Sequence, residues 1–239
     1  MSGIYDHDDF FARYMQMDRS KGLHFAGEWK QLEKLLPDLE DACILDLGCG
    51  IGWHASYFAK NGASSITAID QSEKMLEQAR KLHSHPKITY VQADLCAIQE
   101  DKPFDLVFAN LCLHYINDLL PLFEHIYKLL KQDGIFLFNI EHPVFTAGDQ
   151  TWINEPPVWK VDNDFSEGKR ETVFLDTKVE KYHHTLTTIL NGLLKTGFTL
   201  EAVEEVVPSL ELLDKEVYKL EMKRPMMLLV RARKAEKRA

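Results

Sequence analysis

Three carboxylates recur in the first half of the chain, each at the outgoing end of a short apolar stretch: Asp46 in CILDLGCGIG, Asp70 after SSITAI, and Asp94 after KITYV. Between the first two lies a loop with Gly48, Gly50 and Gly52 at alternate positions and Cys49 among them. Glycines so placed permit positive φ and let a ligand approach the backbone with no Cβ in the way. Asp70, twenty residues past Gly50 and followed by Gln71, is placed to accept two charge-assisted hydrogen bonds from a ribose diol. Acids that follow separate parallel strands share one rim of a sheet, which points to a nucleoside site. A second set of residues is suited to moving protons near neutral pH: His114, His142, His183 and His184.

These residues need elements to hold them, and hydrophobic periodicity supplies the plan. Strands are expected at Ile44–Leu47, 64–69, KITYV, 104–110, IFLFNI, FTLEAVEE and PMMLLVRARK. Between them come helices: one from Trp53 stopped at Asn61-Gly62, one capped by Ser72 with Met75, Leu76 and Ala79 inward, and one over 119–130. Two more follow, at 185–196 ending on Gly197 and at 208–218. Asp105 opens the fourth strand as a structural acid, and Asn110 and His114 lie at its outgoing end. Asp133-Gly134 turns into the fifth strand, which runs out at Glu141-His142-Pro143, where the proline restricts His142 to an extended conformation. Residues 1–37 read as a helical cap in which GEWKQLEKLL is a helix stopped by Pro37. Residues 143–184 break the alternation of strand and helix. They are too long for an ordinary connection and rich in large aromatics, among them Trp152, Trp159, Phe165 and Tyr182, so a lid over a substrate is expected, with a hairpin turning at Asp176-Thr177.

At 239 residues, with 45% hydrophobic and 27% charged side chains, the chain suits one sizeable α/β core, a single domain over 1–239. The formal net charge of -9 argues against general binding to a phosphate backbone, and the basic stretch 231–238 reads as a short solvated tail. The four cysteines include no CxxC pair, which predicts neither a disulfide framework nor a metal site. With no basic-then-apolar leader and no long apolar run, the expected location is cytoplasmic and off the membrane. Nothing in the sequence sets an oligomeric state.

The glycine loop resembles motif I of the class I S-adenosylmethionine-dependent methyltransferases, an acid two positions before GxGxG. The competing dinucleotide fingerprint GxGxxG fails, because Trp53 stands where its last glycine packs helix against strand. The resemblance implies a Rossmann-like, mostly parallel seven-stranded sheet of order 3-2-1-4-5-7-6, its last strand antiparallel, with helices on both faces. It implies S-adenosyl-L-methionine as cofactor, held by Asp46, Gly48, Cys49 and Gly50 at the loop, by Asp70, Gln71 and Met75 at the second strand, and by Asp94 and Leu95 flanking adenine. Asn110 would stand where cofactor and acceptor meet. The N-terminal cap would fold over the cofactor, bringing Tyr14 and Arg19, with Met17 between them, toward its methionine carboxylate. FFARYMQM, EHPVF, KYHHTL and the GF turn resemble bacterial small-molecule methyltransferases of the ubiquinone and menaquinone methyltransferase-like group, although His184 stands where that group suggests arginine.

The function expected from this resemblance is in-line methyl transfer to a small, apolar or aromatic acceptor. Where the acceptor carries a proton, His142 is the first candidate base and His114 the second. Nucleic-acid amine methylation is disfavoured, because Asn110-Leu111-Cys112-Leu113 replaces the Asn/Asp-Pro-Pro-aromatic tetrad that aligns a flipped base. A protein methyltransferase or a cofactor-binding protein without chemistry is the alternative, and an NAD-dependent oxidoreductase a more remote one. Tyr14, His114, His142 and Trp159 are expected around one pocket.

Overall fold

The computed structural model describes residues 3–98 and 102–235. Its centre is a seven-stranded sheet built from β1 (Cys43–Leu47), β2 (Ser65–Asp70), β3 (Ile88–Gln92), β4 (Phe104–Asn110), β5 (Leu130–Glu141), β10 (Phe198–Glu205) and β11 (Met227–Lys234). Spatial order is β10-β11-β5-β4-β1-β2-β3, with β11 antiparallel to both neighbours and the remaining pairs parallel. This is the expected order 3-2-1-4-5-7-6. Because the central strands are covered on both faces, they read as apolar runs, and alternate residues feed separate cores. Ile44, Leu106, Leu137 and Leu229 pack with Trp29, Leu32, Phe58 and Leu76 on one face. Leu45, Val107, Phe136, Phe138 and Val230 pack with Phe123, Ile126, Ile189 and Leu193 on the other.

The helices of the cap and sheet are α1 (Asp8–Gln16), α2 (Trp29–Leu32), α3 (Trp53–Lys60), α4 (Glu73–His83), α5 (Leu119–Leu129), α6 (Pro143–Thr146), α7 (Leu186–Thr196) and α8 (Lys215–Glu221). Ser72 caps α4 by accepting from the Met75 amide, and Gly197 ends α7 at φ 108°. Two helix boundaries differ from expectation. The GEWKQLEKLL helix is only α2 followed by a 3-10 turn at Glu33–Leu35, since Pro37 forces Leu36 into an extended conformation. The helix expected over 208–218 starts at Lys215, where the Asp214 side chain accepts from the Glu216 and Val217 amides. The basic stretch also divides: Arg231–Lys234 belong to β11, whereas 236–238 lie outside the described residues.

The region after β5 holds a small ladder of β6 (Trp152–Ile153) with β7 (Val158–Trp159), then the hairpin β8 (Gly168–Phe174) and β9 (Thr177–His183). Its turn lies one residue earlier than the expected Asp176-Thr177: Leu175 and Asp176, with φ 51° and 54°, form the left-handed pair that matches strand twist in a two-residue hairpin, and Thr177 opens the second strand. The hairpin is tied to the cap by Arg13, whose guanidinium donates to Thr177 Oγ1 at 2.9 Å. Among the described residues no helix is long and apolar enough to cross a membrane.

Candidate functional site

The outgoing ends of β1, β2, β3 and β4 open onto a cavity of about 1320 Å³, larger than the ~300–1,000 Å³ of a typical small-molecule pocket. Gly48 (φ 65°) and Gly50 (φ 54°) turn the loop beneath it. A Cβ at Gly48 would fall 2.5 Å from the Cys112 Cβ, so side chains are excluded there by packing as well as by φ. A Cβ at Gly50 would meet only the Tyr14 hydroxyl, at 4.0 Å, so that cradle stays open toward the cap. Asp70 braces the loop from the next strand: Oδ2 accepts from the Gly50 amide at 2.8 Å and Oδ1 from the Ser72 amide at 2.9 Å. Burial nevertheless raises the Asp70 carboxyl above its ordinary range. Gln71 donates to Asp94 Oδ2 at 2.7 Å, linking the second and third strand ends.

Tyr14, Arg19, Gly48, Cys49, Gly50, Asp70, Gln71, Met75, Asp94, Leu95, Asn110 and His114 all line this cavity. Asp46 does not. It is 1% exposed behind the cavity wall, where burial and the neighbouring Asp70 carboxylate push its carboxyl well up and the Ala55 amide of α3 is its polar contact. His142 is also absent from the lining, which corrects the first candidate base. Its Nδ1 caps α6 by accepting from the Val144 amide at 3.1 Å, and its Nε2 lies 3.3 Å from Glu205 Oε1. The extended conformation set by Pro143 turns this ring into a helix cap.

Trp159 lies outside the cavity too. It stacks on Phe145 at 5.3 Å and, with Trp152, surrounds the Arg224 guanidinium. The roof comes instead from the hairpin, through Thr172, Phe174, Val179, Lys181 and their neighbours, and from the cap through Tyr5 and Tyr14. His183 bonds Thr146 Oγ1 and the Asp164 carbonyl, and His184 bonds the Ile116 carbonyl; neither lines the cavity.

Residues unremarked as site residues in the sequence stand in the walls, as Leu111 and Glu141 do, or directly behind them, as Glu28 does. Glu28, 1% exposed, pairs with Arg19 and accepts from Asn110 Nδ2 at 3.1 Å, while Asn110 Oδ1 accepts from Asn139 at 2.8 Å. Burial would raise the Glu28 carboxyl, but Arg19 and Asn110 hold it below its ordinary value. Leu111, at φ 55°, is held by its amide, which donates a hydrogen bond to the Asn139 carbonyl at 2.9 Å, a strained conformation at the cavity wall. Beyond it, His114 Nε2 lies 3.9 Å from Glu141 Oε1, and Glu141 is paired with Lys181 of the hairpin at 2.5 Å. Burial pushes His114 down to about 4 against the pull of Glu141. Burial works to raise Glu141, but His114 and Lys181 hold it low. Glu28 carried no motif signal; Glu141 was visible only as a polar residue at a strand end.

Residues 45–138 match the family described as "Methyltransferase domain". Over nearly the whole chain the structure is similar to the crystal structure of an S-adenosylmethionine dependent methyltransferase from Mesorhizobium loti: 39% identity, TM-score 0.83, covering 89% of this chain and 100% of that one. A crystal structure from Listeria monocytogenes is 43% identical with a TM-score of 0.84, covering 90% of this chain and 99% of that one. The malonyl-[acyl-carrier protein] O-methyltransferase of Enterobacter lignolyticus is 36% identical over 105 residues, 44% of this chain and 41% of that relative. That last similarity covers less than half of either protein.

Proposed function

This chain belongs to the class I S-adenosylmethionine-dependent methyltransferases, and from that premise we propose that one cavity serves both its cofactor and its acceptor. The enzyme transfers a methyl group from S-adenosylmethionine to a small-molecule acceptor. Kinship reaches O-methyltransferases such as the malonyl-[acyl-carrier protein] enzyme, not specifically the ubiquinone and menaquinone group. The observation that carries the site assignment is the glycine loop clamped by Asp70 and opening onto the cavity.

The residues present fit the cofactor. The open cradle at Gly50 admits its methionine arm under Tyr14. Asp70 retains lone pairs for a ribose diol beyond those engaged by backbone amides. Asp94, with Met75 and Leu95, flanks the place for adenine, and Arg19 with Asn110 borders the methionine end. When bound, the cofactor supplies an activated methyl group on a sulfonium. The protein contributes orientation and a water-poor site, with aromatic rings of the cap and hairpin as walls for an apolar or aromatic acceptor. His114, buried and neutral near pH 7, is the base candidate that lines the cavity.

The test is calorimetric titration with S-adenosylhomocysteine, with an expected Kd in the micromolar range, about -8 kcal/mol. Tight binding of a nicotinamide dinucleotide in its place would overturn the assignment. We propose further that 1–239 acts as one domain in a reducing, cytoplasmic setting, on the strength of four free thiols. Nucleic acid is excluded from the proposed partners on the acidic balance of charge. A duplex or tRNA affinity that falls steeply with added salt would contradict this.

A further inference from the structure

The far wall of the cavity carries three groups that cofactor binding does not use. His114 is 3% exposed, and among the described residues its Nδ1 has no hydrogen-bond partner while its Nε2 faces Glu141. Glu141 is joined in turn to Lys181, 5% exposed on the hairpin. Tyr5 and Tyr115 share a hydroxyl contact of 3.1 Å beside them, and Phe174 and Phe145 also border the space.

We propose that the acceptor is a neutral phenol whose proton passes to His114 Nδ1, with Glu141 and Lys181 as positioning residues; this rests on the methyltransferase reading above. A carboxylate acceptor arrives ionised and needs no base, and burying it beside Glu141 calls for an unpaired cation. The buried Lys181 is paired with Glu141 and the partly exposed Arg19 with Glu28, and Lys178 is exposed at the rim. An ammonium acceptor calls for an uncommitted carboxylate, whereas Glu141 already holds Lys181 and the remaining lone pairs of Asp70 are assigned to the ribose on the opposite wall. A hydroxyl enters neutral, must lose its proton, and finds on this wall a buried nitrogen without a partner, His114 Nδ1; the other such nitrogen among the lining residues, His54 Nε2, stands on the glycine-loop side against Trp29 and Phe108. The aromatic walls select a flat ring to carry it.

The oxygen lone pair forms the new O–CH3 bond as the S–CH3 bond breaks and its electron pair goes to sulfur, cancelling the sulfonium charge. The O–H electron pair stays on oxygen while the proton moves to Nδ1. The oxygen becomes strongly acidic as it is methylated, so a weak base suffices. Glu141 then faces the imidazolium, which later releases its proton to water. The charged or titratable groups around His114 are Glu141, Lys181, Arg19 and His184, with Tyr115 against its ring at 4.5 Å. Because Lys181 belongs to the hairpin, the cluster is complete only with that arm seated.

The experiment offers wild-type enzyme labelled S-adenosylmethionine with 4-methylphenol, 4-methylbenzoate or 4-methylaniline, and titrates the same preparation with S-adenosylhomocysteine. The expected result is label in the aryl ether alone. His114→Gln lowers kcat by about 100-fold with S-adenosylhomocysteine affinity kept. Lys181→Met lowers kcat more than it raises KM, and Lys181→Arg restores it. Faster transfer to the carboxylate or amine, no transfer to the phenol by enzyme that binds S-adenosylhomocysteine, or an unchanged kcat in folded His114→Gln overturns the proposal. Failure to bind S-adenosylhomocysteine overturns the cofactor assignment instead. The wild-type comparison decides the acceptor class whether or not the variants fold.

Discussion

The two walls of the cavity are made in different ways. On the cofactor side, backbone does most of the work: the Gly50 and Ser72 amides meet one carboxylate, and the loop is turned by glycines at positive φ. On the acceptor side, side chain meets side chain across distant elements, with Glu141 and Lys181 forty residues apart, the lysine buried and the glutamate largely so. A backbone site tolerates few substitutions at a few positions. A buried ionic site depends on every partner being present, since removing one leaves the other charged and unpaired.

The largest expected effect tests the backbone wall. Gly48→Val puts a Cβ 2.5 Å from the Cys112 Cβ at φ 65°, which should cost about 2–5 kcal/mol of stability and abolish S-adenosylhomocysteine binding. Thermal unfolding and titration measure the two losses; retained binding would break the contrast between the walls.

Acid titration reaches both walls at once, through His54 on the glycine-loop side and His114 opposite, each pushed by burial from 6.5 down to about 4. Between these values the unfolded chain binds protons that the native fold refuses. Stability therefore falls as pH drops from 6.5 toward 4 and levels off below, by up to about 3 kcal/mol per histidine. Glu28 and Glu141, held below their ordinary value of 4.5, lose their contribution at still lower pH. Urea unfolding across this range should show the slope, and His114→Gln should flatten it.

Asp70→Ala sharpens the comparison from the cofactor side: S-adenosylhomocysteine binding should weaken by about 1–3 kcal/mol, while Lys181→Met leaves it unchanged. Equal losses in both variants would mean that the walls are not separable. The smallest effect is expected at the aromatic box. Arg224→Ala removes a guanidinium that lies 4.5 to 5.4 Å from three ring centroids, so stability should fall by about 1 kcal/mol with cofactor affinity kept. A large loss of affinity there would place the box inside the functional site.

The histidines explain why one wall was easier to anticipate than the other. His142 and His114 are the same residue type at the outgoing ends of neighbouring strands, and Pro143 correctly placed the His142 backbone in an extended conformation. Whether a ring then caps a helix or faces a cavity depends on what packs around it. For His142 that is the Val144 amide and Glu205; for His114 it is Glu141 and Tyr115. Trp159 gave a strong aromatic signal in the insertion, yet the roof is made by the neighbouring hairpin.

Local rules were enough for the glycine loop, the Ser72 and Gly197 caps, the strand-end acids Asp70 and Asp94, and the existence of the hairpin, though not the position of its turn. Each depends on φ preferences, hydrogen-bonding groups or periodicity within a few residues, and those are properties of the chain itself. Only the tertiary structure decided that Asp46 lies behind the cavity wall, that Glu28 joins Arg19 to Asn110, and that Glu141 stands between His114 and Lys181. Burial and charge pairing are set by what the fold brings alongside a residue, and no spacing along the chain encodes a neighbour forty residues away.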